Sequence, residues 1–249
     1  MTVSVPIAGP LASATFVDRP NRFVLRARTD LQHEEVDAHL PDPGRLADLL
    51  LPGARVWLRV EPEAGRRTQH LAVLVAAPSG ALVSLDPSLP KRLVAEALRA
   101  SALEELSGFD LESTDVPWGP SRLDFALRDV AGNRVLVAVE SVSWARDGVG
   151  RVPDAPTDRG VRNLRHLVDI AHQPGLGAAL VLVAPRSDVN AIEPAAEVDP
   201  AFAEGLSEAV RGGVRIIGRR CQLTLEELML GIPVPVRALD RRPGPVGAG

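Results

Sequence analysis

The sequence predicts an α/β (α+β) chain in two parts, an N-terminal OB-like β-barrel followed by an α/β domain. Three observations predict it. Short apolar/polar alternations recur between Arg22 and Leu85, and a period of two places one face of each run in a core. After Pro90 the period lengthens to that of a helix. From there strand-like runs alternate with helical ones, the pattern of a layered α/β unit.

In the first part, Phe23, Leu25 and Ala27 alternate with Val24, Arg26 and Arg28. Val36, Ala38 and Leu40 alternate with Asp37 and His39, and Val56, Leu58 and Val60 with Trp57 and Arg59. Residues 71–76 form a continuous apolar run and 81–85 a shorter one, with Pro, Gly and Asp clusters between the runs. This string of short strands fits a small barrel, and a β-meander without closure fits it nearly as well. In the second part, Pro90 opens a helix from Lys91 to Leu106. Residues 122–127 and 134–142 read as strands. Residues 157–172 read as a helix with Val161, Leu164, Leu167 and Val168 on one face, and 178–183 as a buried strand. Asp199 caps a helix opened by Pro200 and closed by Gly212 and Gly213, and 214–217 is a further strand. The expected divisions are a flexible start at 1–18, the barrel at 19–86, the α/β domain at 87–236 and a loose tail at 237–249.

The 249 residues, 45% of them hydrophobic, suffice for a sizeable core. A net charge of −4 excludes a globally basic nucleic-acid binder and leaves room for a local basic face. One cysteine, Cys221, excludes a disulfide framework and a cysteine-rich zinc site; with no histidine nearby it reads as a buried strand residue. Lys91 is the only lysine, so a mechanism that needs one must use it. Aromatic residues are 3% of the chain, which leaves few rings for stacking on bases; Trp57, on the polar side of its strand, is one candidate, with packing as the plainer reading. Trp118 reads as a loop-packing anchor. No apolar run approaches the ~18 residues of a membrane span. The first residues lack a basic region and are broken by Pro6 and Pro10, unlike a secretory signal. The expected location is cytoplasmic, with no membrane partner.

Four segments stand out: H-L-P-D-P-G-R-L (39–46), S-R-L-D-F (121–125), V-A-V-E-S-V-S (137–143) and V-P-D-A-P-T-D-R-G (152–160). With D-P-S-L-P-K-R-L-V (86–94), A-A-E-V-D-P (195–200) and L-G-I-P-V-P-V (230–236), this ordered set resembles the sugar fermentation stimulation protein A (SfsA) family. The resemblance implies that the second domain is related to PD-(D/E)xK nucleases. It also implies DNA binding and a link to regulation of sugar-utilisation genes.

A nuclease of this kind holds Mg²⁺ between an Asp on one strand and a Glu on the next. A Lys two residues after the Glu shares its strand face. The metal clamps the phosphate and acidifies a bound water. Asp124 matches the first carboxylate. The second strand departs from the pattern: Ala138 stands where the Glu belongs, Glu140 where the Lys belongs, and Ser141 where the family has Asn. In the following helix Arg162 and Asn163 stand where the family has Lys and His. Losing one oriented group commonly costs ~10²–10³ in rate, so the expectation is a degenerate site that requires no cofactor. Lys91 falls in another segment, at a position the resemblance does not make catalytic. The alternative is a Mg²⁺-dependent DNA nuclease using Asp124 and Glu140, with Asp154 completing the metal site. Failing that site, Glu140 reads as a partly buried carboxylate paired with Arg122 or Arg159.

The candidate DNA contacts are arginines: Arg22 and Arg26 on one face of the first strand, Arg45 in the P-D-P-G-R turn, Arg122 beside the cleft, and Arg159 and Arg162 near a helix N-terminus. Such contacts bind phosphates without reading sequence. Asp42, where the family carries Asn, puts a negative charge beside Arg45. A third reading is a protein-interaction module without nucleic-acid binding, consistent with the acidic total.

Overall fold

The computed structural model describes residues 2–61, 68–119 and 121–238. The chain opens with β1 (Ser4–Pro6) and continues into the barrel strands β2 (Ala12–Asn21), β3 (Val24–Thr29), β4 (Glu35–His39), β5 (Arg55–Val60), β6 (His70–Ala76) and β7 (Leu82–Ser84). The order is β4-β3-β2-β5-β6-β7, and β4 also pairs in parallel with β6 through Ala38↔His70 and His39↔Leu71. That pairing closes β2 to β6 into a barrel and removes the open edges a meander would leave. Phe16, Leu25, Leu40 and Leu58 fill the interior. The run at 71–76 does not alternate because both its faces are covered. Ala72 and Val75 line the barrel, while Val73 and Leu74 pack into the core of the second domain.

That domain runs α1 (Leu89–Arg99), a 3₁₀ turn (Glu104–Leu106), β8 (Asp110–Trp118), β9 (Ser121–Arg128), β10 (Arg134–Ser141), β11 (Trp144–Arg146), β12 (Val149–Val152), α2 (Asp158–Ala171), β13 (Leu176–Ala184), β14 (Ala191–Pro194), α3 (Pro200–Arg211), β15 (Arg215–Leu223) and β16 (Glu227–Pro233). Its seven-stranded sheet is ordered β1-β16-β15-β13-β10-β9-β8, with β10, β13 and β15 parallel. α1 covers one face with Leu93, Val94 and Ala97. α2 and α3 cover the other with Leu164, Leu167, Phe202 and Leu206. Asp199 caps α3, accepting the Phe202 N–H at 3.0 Å, and its other oxygen accepts the Thr157 N–H at 2.9 Å. One carboxylate therefore ties the starts of both helices together.

The expected flexible start at 1–18 is corrected. β1 pairs antiparallel with β16, Val5 opposite Leu228, and Val3, Val5 and Ile7 are buried against the sheet. Pro6 is no obstacle because β1 is an edge strand, where a missing N–H costs no ladder bond. The barrel's first strand begins at Ala12, with Ala14 and Phe16 facing inward. The first helix ends at Arg99, short of Leu106, where Ser101 turns to a φ of 50°. Residues 110–118, read without a strand in the sequence, form β8, an edge strand whose exposed acidic positions hide its pattern; Trp118 ends that strand and packs on the core beneath α2. Of the expected loose tail, Arg237 pairs with Glu193 at 2.9 Å, and residues 239–249 lie outside the described residues. No helix among the described residues is long and apolar enough to cross a membrane.

Candidate carboxylate cleft and nucleic-acid interface

β9 and β10 pair from Arg128↔Arg134 as far as Phe125↔Val137. Just beyond, the Asp124 side chain supplies the acceptor: its Oδ2 takes the Val139 N–H at 2.7 Å. Its Oδ1 lies 2.8 Å from Lys91 Nζ. The Asp124 side chain is 5% exposed, while that of Lys91 is 40% exposed. Lys91 sits in the first turn of α1, whose buried Leu89, Leu93 and Val94 anchor it on the sheet. Lys91, which falls in another segment of the sequence, thus meets Asp124 in the fold. The only lysine of the chain stands at the carboxylate, delivered by a helix crossing the sheet instead of by the neighbouring strand.

Ala138 is fully buried beneath α2. Two residues on, Glu140 shares its face. Burial pushes the Glu140 carboxyl up to about 7, helped by the charge of Asp124 and opposed by Arg159 and Asn163. Its Oε1 is buried without a hydrogen-bond partner. Of the two arginines considered for Glu140, Arg159 is the one whose charge it feels. Arg122 pairs instead with Asp115 at 2.9 Å.

Asp154 does not join this pair. It turns toward the barrel, where its Oδ2 accepts the Leu46 N–H at 3.4 Å. A Cβ at position 44 would lie 2.2 Å from that same oxygen, so the turn requires Gly44. Leu46 adopts a φ of 50° there, with its side chain buried in the barrel core. Arg19 holds the turn from the other side, donating to the carbonyls of Gly44 at 2.8 Å and Arg45 at 2.7 Å. Asp42 accepts the Gly44 N–H at 2.8 Å, and burial pushes its carboxyl up to about 6. The segments 39–46 and 152–160 are thus two sides of one inter-domain contact.

Among the described residues, no group of three or more His, Cys, Asp or Glu side chains is arranged to hold a metal ion. Both Asp124 oxygens are engaged, one by an ammonium and one by an amide, and position 138 offers no oxygen. The donor set does not fit Mg²⁺, a hard ion that wants several free oxygens.

The arginines divide into two groups. Arg26 is bound to Asp37 at 2.8 Å, with Asp18 at 3.8 Å, so its charge is answered on its own sheet. Arg122 is likewise bound to a carboxylate, that of Asp115. Arg45, Arg159 and Arg162 are exposed and form no ion pair among the described residues. Arg22 is also exposed and lies over the Phe23 ring, 4.6 Å from its centre. Thr157 caps α2 by accepting the Gly160 N–H at 3.0 Å, which places Arg159 and Arg162 on the first turns of a well-formed helix. Arg45 borders a cavity of about 130 Å³ shared with Trp144, Asp154 and Val198, next to the start of α2. Trp57 packs against the core between the domains, which favours packing over base stacking. Cys221 is buried in β15, its thiol pushed up to about 12 by burial.

Sequence reasoning missed Lys91 as a partner and Arg19 altogether. The signal available for Lys91 was its uniqueness; Arg19 stands just ahead of the first alternating run, which begins at Arg22, and no motif marks it.

Comparison with known proteins places the chain. The model described as the SfsA N-terminal OB domain matches residues 17–85. The one described as the sugar fermentation stimulation protein RE domain matches residues 88–227. The chain belongs to the sugar fermentation stimulation protein family. The homolog of Moorella thermoacetica is 40% identical over 233 residues, 94% of this chain and 99% of that protein. The homolog of Chloroflexus aurantiacus is 42% identical over 238 residues, 95% of this chain and 90% of its own length. The solved structure of Pyrococcus furiosus SfsA in complex with Ca²⁺ matches with a TM-score of 0.82 at 26% identity, covering 95% of this chain and 99% of that one. The SfsA family fold, an OB barrel joined to an α/β domain, is the fold of this chain.

Proposed function

We propose that the protein binds DNA through its phosphate backbone and does not cut it. The observation that carries this reading is the set of exposed guanidinium groups of Arg45, Arg159 and Arg162, none of them in an ion pair among the described residues, in a chain whose Arg26 and Arg122 are bound to carboxylates. Guanidinium groups match phosphate geometry and hold their charge at any physiological pH. The N-terminal turn of α2 adds favourable backbone dipoles. Hydrolysis is absent because the cleft lacks a free carboxylate pair: Asp124 is neutralised by Lys91, and Glu140 is a buried acid held near neutrality. The family name links its members to sugar fermentation. A regulatory role for this chain is read as changed transcription of sugar-utilisation genes when it is deleted.

Fluorescence anisotropy with short duplex and single-stranded DNA tests the proposal. Binding at low salt is expected, weakened roughly tenfold by Arg159→Ala combined with Arg162→Ala. Incubation of plasmid DNA with Mg²⁺ or Mn²⁺ is expected to leave it intact. Absence of binding at low salt overturns the first half. Cleavage that Asp124→Ala abolishes overturns the second and favours the nuclease reading.

A further inference from the structure

We propose that the Lys91 ammonium is a resident cation occupying the ground a divalent ion would need, so that the cleft takes up Ca²⁺ or Mg²⁺ only when this lysine is removed. The inference stands apart from DNA binding and is tested without DNA.

Three observations carry it. Lys91 Nζ lies 2.8 Å from Oδ1 of a carboxylate that is 5% exposed. A buried carboxylate needs a counter-charge, and here an amine supplies it. The lysine is also fixed, since its helix is anchored by Leu89, Leu93, Val94 and Ala97. Finally, the neighbouring Glu140 keeps Oε1 buried and unpartnered while feeling the charge of Asp124. The cleft therefore sets two carboxyl groups, Asp124 and Glu140, beside the ammonium of Lys91 and within the field of Arg159. A divalent ion added to that set meets like charge in a desolvated site, where repulsion is strong. Removing the ammonium leaves Asp124 without its counter-charge and frees its Oδ1, within the field of a Glu140 whose Oε1 is unpartnered. Two hard oxygens from adjacent strands, completed by water, suit Ca²⁺.

Calorimetric titration of the full chain with Ca²⁺ tests this. Wild type is expected to show no saturable binding at millimolar Ca²⁺. Lys91→Ala and Lys91→Gln are each expected to gain one site, roughly a hundredfold tighter or more, and Lys91→Ala combined with Asp124→Asn to lose it. Saturable binding by wild type that Asp124→Asn removes overturns the proposal. So does a folded Lys91 variant that gains no site. Should a variant be unfolded in ion-free buffer, Ca²⁺ is expected to restore its circular dichroism spectrum, and failure to do so also overturns the proposal.

Discussion

At the scale of single residues, Glu140 makes the cleft sensitive to pH. Burial raises its carboxyl from an ordinary 4.5 to about 7. The folded chain therefore holds this proton more tightly than the unfolded chain. Its contribution to stability is complete below pH 4.5 and is lost as the pH rises through 7. Relative to Glu140→Gln, wild type is expected to lose about 3 kcal/mol between these limits, measured by urea unfolding at each pH. Gly44 makes a second prediction. Because a Cβ there would sit 2.2 Å from Asp154 Oδ2, Gly44→Ala is expected to destabilise by ~2 kcal/mol. Adding Asp154→Ala, which removes the obstructing oxygens, is expected to recover part of that loss, and the double-mutant cycle measures the coupling. The positions of Asp124 and Glu140 were legible in the sequence because strand alternation assigns side chains to faces. The Lys91 contact was not, because it depends on where a helix lies across a sheet.

At the scale of elements, β1 is the informative case. It is three residues long, far from its partner in sequence, and contains a proline; no local pattern announces such a strand. It forms because β16 offers an unpaired edge and the sheet offers a place for Val3, Val5 and Ile7. Deleting residues 2–8 uncovers those side chains and the β16 edge. The expected cost is ~4 kcal/mol, seen as a lower melting temperature. A tryptic digest of the variant is expected to release fragments of the α/β domain first. Central elements such as β10, β13, α2 and α3 were legible because burial imposes a strong period on them. The edge strand β8 was not, since its exposed residues are free to be acidic.

At the scale of the whole molecule, the two domains are fastened at several points. β6 shares its outward residues with the second core, Asp154 seats in the Gly44 turn, and Trp144 Nε1 donates to Asp48. Ser79 on the barrel side also donates to Asp188 at 2.5 Å. A frame fastened this way presents Arg22, Arg45, Arg159 and Arg162 at fixed separations. If all four meet phosphates, the slope of log affinity against log salt is expected to be about −3 to −4. Each arginine replaced by alanine is expected to reduce it by about one, as read from anisotropy titrations over a range of salt. The two-part architecture was legible from the change of period after Pro90. Barrel closure was not, because the pairing of β4 with β6 joins strands whose local patterns suit an open sheet equally well.

The solitary lysine has a practical corollary. Amine-directed acylating reagents find one side-chain target in this chain, and it is tied to a carboxylate at the mouth of the cleft. The rate at which Lys91 is acylated thus becomes a direct gauge of how often that tether lets go, readable by mass spectrometry from a single peptide.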